Sequence, residues 1–105
     1  MTTQKKCIAA FRRAVRKVWW QYSPERKAAL EGAKRAYTGE NKRQKWEYHC
    51  NLCGEWFKQV EVQVDHIEEC GKMSEYGDMM GFTERLFCGE DNLQVLCKEC
   101  HKNKR

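Results

Sequence analysis

Two cysteine pairs, an aspartate–histidine pair, one asparagine and a second histidine hold most of the chemistry this sequence can do. Cys50-Asn51-Leu52-Cys53 and Cys97-Lys98-Glu99-Cys100 each separate two thiols by two residues. That spacing lets both thiolates of a turn reach one ion, and two such turns complete a tetrahedral four-thiolate zinc site. A closed four-thiolate shell has no open position, so the ion is structural and contributes folding free energy directly. The second group is Val64-Asp65-His66-Ile67, Asp91-Asn92-Leu93-Gln94-Val95-Leu96-Cys97 and His101 beside Cys100. A carboxylate with an imidazole can hold a divalent cation, leaving other positions to water and phosphate oxygen. A second imidazole, off the ion, can serve as general base at neutral pH. Successive strand side chains point to opposite faces, so Asp65 and His66 converge only where a strand ends or bulges. Cys7, Cys70 and Cys88 are left as free thiols, and His49 as a structural or exposed residue.

The order of Cys-x-x-Cys, Val-Asp-His-Ile, Asp-Asn-Leu-Gln-Val-Leu-Cys and Cys-x-x-Cys-His resembles the HNH endonucleases with a four-cysteine zinc site, in particular the small HNH proteins of bacteriophages. The likeness runs from about Trp46 to Arg105; the Ser-Pro-Glu-Arg stretch at residues 23–26 extends it more loosely. The resemblance implies an α+β chain with a ββα-metal core: two antiparallel strands joined by a long loop, then a helix, around one catalytic cation. It implies hydrolysis of phosphodiester bonds in double-stranded DNA, with His66 as general base and Asp65 and His101 as metal ligands. Asn92 would fix the loop and the orientation of the base. The cation would be Mg²⁺, with Mn²⁺ or Ni²⁺ able to substitute, and the products would carry a 5′ phosphate and a 3′ hydroxyl. A phage origin would place the protein in the bacterial host cytoplasm, with a terminase as a possible partner and a monomer as the expected state. Glu68-Glu69 stands where relatives often carry a second His or a Pro, which leaves any third protein ligand unassigned. The alternative is a zinc-stabilised DNA-binding module without catalysis.

Elements must position these residues. Ile8, Phe11, Val15, Val18, Trp19 and Tyr22 recur at helical spacing and predict an amphipathic helix over Cys7–Tyr22. Ser23-Pro24 supplies an N-cap and a first helical residue for a second helix to about Tyr37. Thr38-Gly39-Glu40-Asn41 is a polar stop, which divides a basic helical region, 1–45, from a zinc-bound nuclease unit, 46–105. Val60, Val62 and Val64 alternate with polar residues and predict a strand; Leu93–Leu96 predicts another. The connection between them is rich in glycine and acid, with a helical turn or two over 82–87, and a short basic helix follows Cys97. The two cysteine pairs lie 43 residues apart, so an ion there would clamp the ends of an inserted unit.

Charge sorts along the chain in the same way. Residues 1–49 carry 13 Lys and Arg against 4 Asp and Glu, a net of +9, whereas 50–105 carry 7 against 11, a net of −4. The basic half is expected to seek phosphate. Arg12, Arg13, Arg16 and Lys17 would lie along the backbone, extended by Lys42, Arg43 and Lys45; Lys102, Lys104 and Arg105 would add contacts from the last helix, and Arg85 from the inserted loop. With 105 residues, 33% of them charged, the core is thin and a metal staple suits it. No apolar run approaches a membrane span and no apolar leader stands at the N-terminus, so paired cysteines read as metal ligands rather than as secreted disulfides.

Overall fold

A computed structural model describes residues 2–104 as a small α+β fold with helices and two small antiparallel sheets. The first helix, α1, runs Thr3–Tyr22, beginning earlier than the apolar stripe suggests because the Thr2 hydroxyl caps it through the Lys5 N–H. Ile8 and Trp19 are buried and Phe11 and Val15 pack beside them, while Val18 and Tyr22 face solvent, so the working face is narrower than expected. Ser23 serves both helices. Its N–H bonds the Trp19 carbonyl to close α1, and its hydroxyl accepts from Arg26 N–H to open α2, Pro24–Ala33.

The second helix does not reach Tyr37. Lys34–Ala36 leaves it as strand β1 and pairs with β2, Trp46–His49, which in turn pairs with β3, Trp56–Phe57. Gly32 weakens the end of the helix by about 1 kcal/mol, and the open edge of β2 offers Lys34–Ala36 backbone partners that a further helical turn could not improve. The two parts of the chain therefore share one sheet. Between β2 and β3 the chain reverses at Cys50–Gly54, where Gly54 takes a φ of +76° that other residues adopt reluctantly.

The second sheet is the antiparallel pair β4, Val62–His66, and β5, Leu93–Cys97, in a register that sets Asp65 opposite Gln94 and His66 opposite Leu93. The strand starts later than the valine alternation suggests: Gln59–Glu61 is a single 3-10 turn and Val60 is exposed. The inserted segment contains helix α3, Met79–Leu86, three residues ahead of the expected turn. Helix α4, Lys98–Asn103, follows β5 without a loop, and the Cys97 sulfur accepts from the Cys100 N–H at its start.

One core lies between α1, α3 and the β4–β5 pair, built from Ile8, Trp19, Val62, Val64, Met73, Phe82, Leu86, Leu93 and Val95. A second, smaller one contains Cys50, Leu96 and Cys97, with Phe57 and Cys100 against it. Two of its three buried residues are cysteines. No helix among the described residues is long and apolar enough to cross a membrane.

Candidate metal centre and adjoining cleft

The four paired cysteines meet. The sulfurs of Cys50, Cys53, Cys97 and Cys100 all lie within 4.8 Å of one another. Zinc–sulfur bonds of about 2.3 Å set tetrahedral sulfurs about 3.8 Å apart, so the cluster suits a metal such as zinc. Its geometry comes from two turns of different kinds. Cys50 and Cys53 flank the β2–β3 reversal, closed by Gly54 N–H to Cys50 O and Cys50 N–H to Glu55 O. Cys97 and Cys100 flank the first turn of α4.

The thiols resist joint ionisation. Burial pushes Cys50 up, but backbone N–H groups at Cys53, Cys97 and Leu52 outweigh it and bring the thiol down to about 6. Cys100 moves the other way, to about 12, driven first by the Cys97 side chain, then by burial and the sulfurs of Cys50 and Cys53. At Cys53 the Glu55 N–H favours the thiolate, yet burial and Cys50 prevail and the thiol is raised. A cation between the sulfurs would favour their thiolate forms together.

A bridge of polar side chains runs from this cluster to a second group. Asn51, inside the first turn, donates its backbone N–H to Val95 O at 2.9 Å and its amide to Gln94 Oε1 at 2.8 Å. Gln94 then donates to Asp65 Oδ2 at 3.1 Å. The other Asp65 oxygen, Oδ1, stands 3.4 Å from His101 Nε2 on α4. Lys104 completes the group, with Nζ 2.5 Å from Asp65 Oδ2 and 2.7 Å from the His66 carbonyl.

His66 is held from another side. Its Nε2 lies 2.8 Å from the Leu86 carbonyl oxygen at the end of α3. A carbonyl only accepts, so Nε2 carries the hydrogen and, in the neutral ring, Nδ1 keeps a free lone pair. Trp19 packs on the ring with centroids 4.7 Å apart. The loop after His66 is fixed by Asn92: Oδ1 accepts from Glu68 N–H at 2.9 Å, Nδ2 donates to Glu68 O at 3.2 Å, and Ile67 N–H donates to Asn92 O at 2.8 Å.

Asp65, His66, His101 and Lys104 line one cleft of about 790 Å³. Asp65 and His66 are both about nine-tenths buried, although they are neighbours on a strand. Their convergence follows from position: His66 is the last residue of β4, where the chain turns away. Asn92 is not among the lining residues and reaches the cleft only through the loop it ties.

The expected phosphate contacts scatter. Arg16 lines the cleft and stacks 5.3 Å over the Phe82 ring. Arg12 turns back to the Met73 carbonyl, while Arg13 and Lys17 are exposed on α1. Lys42, Arg43 and Lys45 are exposed on the loop between β1 and β2; Arg43 and Lys45 border a separate groove with Trp46. Arg85 is committed to the Cys70 carbonyl at 2.6 Å and stands beside Gly71. Lys102 is exposed on α4, Lys104 is engaged by Asp65, and Arg105 lies outside the described residues. Gln94 and Arg26 belong to the cleft or its bridge without a mark in the sequence, where a glutamine in an apolar strand and an arginine after Ser-Pro-Glu carry no distinct signal; Trp19, an apolar position of the α1 stripe, also lines the cleft. No protein family, curated protein or solved structure matches the chain.

Proposed function

We propose that this chain is a metal-dependent endonuclease of the HNH type acting on double-stranded DNA. The observation that carries the reading is the convergence of Asp65, His66 and His101 on one cleft, with His66 locked through Nε2 so that Nδ1 is the basic nitrogen. In this reading β4, β5 and α4 form the ββα unit and the four-cysteine zinc holds its far end.

Asp65 and His101 would hold the catalytic Mg²⁺. Their ligand atoms, 3.4 Å apart, approach the roughly 3 Å between neighbouring ligands of an octahedral ion at about 2.1 Å. When bound, that cation stabilises the charged transition state and the leaving 3′ oxygen. The chain's own residues supply the rest. His66 Nδ1 takes a proton from water as its oxygen attacks phosphorus; the bond to the 3′ oxygen breaks, and that oxygen leaves with a proton from solvent. Leu86 and Trp19 keep the imidazole in one orientation, and Asn92 keeps the following loop from drifting. Gln94 holds Asp65 to the zinc turn.

Lys104 is the observation that favours a second reading. Its ammonium neutralises Asp65 and ties α4 to β4, as a non-catalytic zinc-stabilised DNA-binding module would require. An end-labelled duplex incubated with Mg²⁺ separates the two. The nuclease yields fragments with a 5′ phosphate and a 3′ hydroxyl, which a ligase reseals at nicks. A duplex that stays intact while bound to the protein supports the module.

A further inference from the structure

The cleft has a second wall, and it comes from the N-terminal helices. Arg16, Trp19, Trp20 and Arg26 line it together with Asp65, His66, His101 and Lys104. Two donors in that wall have no acceptor: Trp19 Nε1 and Arg26 Nε are both buried and unpartnered among the described residues. No carboxylate stands within ion-pair distance of Arg26 or Arg16 among the described residues. Arg26 instead stacks on aromatic faces, its guanidinium carbon 4.8 Å from the Trp20 ring centre and 6.0 Å from that of Trp19. Stacking occupies the flat face of a guanidinium and leaves its in-plane N–H groups for another partner. A buried charged donor without a partner is costly to keep, and burial disfavours the charged form of Arg26. Both of the buried unpartnered atoms in this wall donate. The matching ligand is therefore an anion that only accepts, with two or more oxygens in one plane, and a phosphodiester fits that description.

We propose that Arg26, held by Trp19 and Trp20 and assisted by Arg16, is a phosphate clamp that grips the DNA backbone beside the scissile phosphate. The proposal rests on the reading of the cleft as a DNA site, and it deepens that reading by naming a contact outside the catalytic group. Trp19 joins the two functions, since one face packs on His66 while its indole N–H belongs to the clamp wall.

The test is binding of a short fluorescein-labelled duplex, followed by anisotropy in buffer without added divalent cation, across a series of salt concentrations. Arg26→Gln is expected to weaken binding about tenfold, and to reduce the slope of log affinity against log salt by about one, the signature of one lost phosphate contact. Arg26→Lys keeps the charge and loses the fork, so it keeps the slope and recovers only part of the affinity. Arg26→Gln binding with unchanged affinity and slope overturns the clamp. Should Arg26→Gln fail to fold, as judged by circular dichroism, Arg26→Lys decides: wild-type affinity for that variant overturns the fork. The clamp and the nuclease reading fail separately. A wild-type chain that never cuts, but whose binding drops on Arg26→Gln, keeps the clamp; one that cuts, with binding indifferent to Arg26, loses it.

Discussion

Keeping metal out of the four-cysteine cluster should cost a large part of the stability of this chain. An ion held by the four sulfurs would link Cys53 to Cys97 and so close a ring of 45 residues. The chain-entropy relation for a cross-link closing such a ring gives about 4 kcal/mol at room temperature. Domains of this size hold about 5–15 kcal/mol in all, and the smaller core is built largely from the cysteines themselves. Without a cation the sulfurs that oppose joint ionisation also stay close together. The comparison is urea denaturation of the zinc-loaded chain and of chain freed of metal under reducing conditions, followed by tryptophan fluorescence. With a urea slope of about 1.3 kcal/mol/M, 4 kcal/mol moves the midpoint by roughly 3 M. Elemental analysis should find about one zinc per chain. Coincident midpoints, or a folded chain with no bound metal, would refute the reasoning.

Other consequences follow from single contacts. Asn92→Ala removes both side-chain bonds to the Glu68 backbone and should cost about 1–3 kcal/mol in thermal unfolding, with amide exchange of Glu68 rising first. Leu86→Ala empties a fully buried position and should cost about 2–5 kcal/mol in chemical denaturation; a loss under 1 kcal/mol would show that α3 is not part of the core. Lys104→Gln removes the ammonium that competes for Asp65 and should tighten Mn²⁺ binding, read by calorimetry, about tenfold, the equivalent of one charge-assisted hydrogen bond. In the metal-free chain, the depressed Cys50 thiol gives a stabilisation that is complete above its ordinary value of 9.0 and is lost as pH falls through about 6. Cys100, raised to about 12, works in the opposite sense above pH 9, so melting temperatures should fall on both the acid and the alkaline side.

Much of this arrangement was legible because local signals and tertiary packing agree. Ile8, Phe11, Val15 and Trp19 set the buried face of α1, and Ser23-Pro24 carries capping chemistry that fixes the break between the helices. Val62 and Val64 mark β4 by alternation, and the cysteine spacings foretell a cluster that the fold assembles. What the sequence hid depends on distant partners. Lys34–Ala36 has helical composition and becomes a strand only because Trp46–Tyr48 offers an edge. Gln94 reads as an interruption of an apolar run, yet it joins Asn51 to Asp65. Arg26 looks like any surface arginine in the first turn of a helix until Trp19 and Trp20 are seen beneath it. Arg85 and Lys104 show the converse: counted as free cations in the sequence, each is engaged within the fold.

The central claim is that His66 activates water for attack on DNA. Its most direct measurement is the conversion of supercoiled plasmid by zinc-loaded chain with Mg²⁺ or Mn²⁺, comparing wild type with His66→Ala at matched folding. The wild type should relax or linearise the plasmid in a metal-dependent way, and His66→Ala should lose at least about a hundredfold in rate, the contribution of a positioned general base. Plasmid left supercoiled by both, or cut equally by both, would contradict the account.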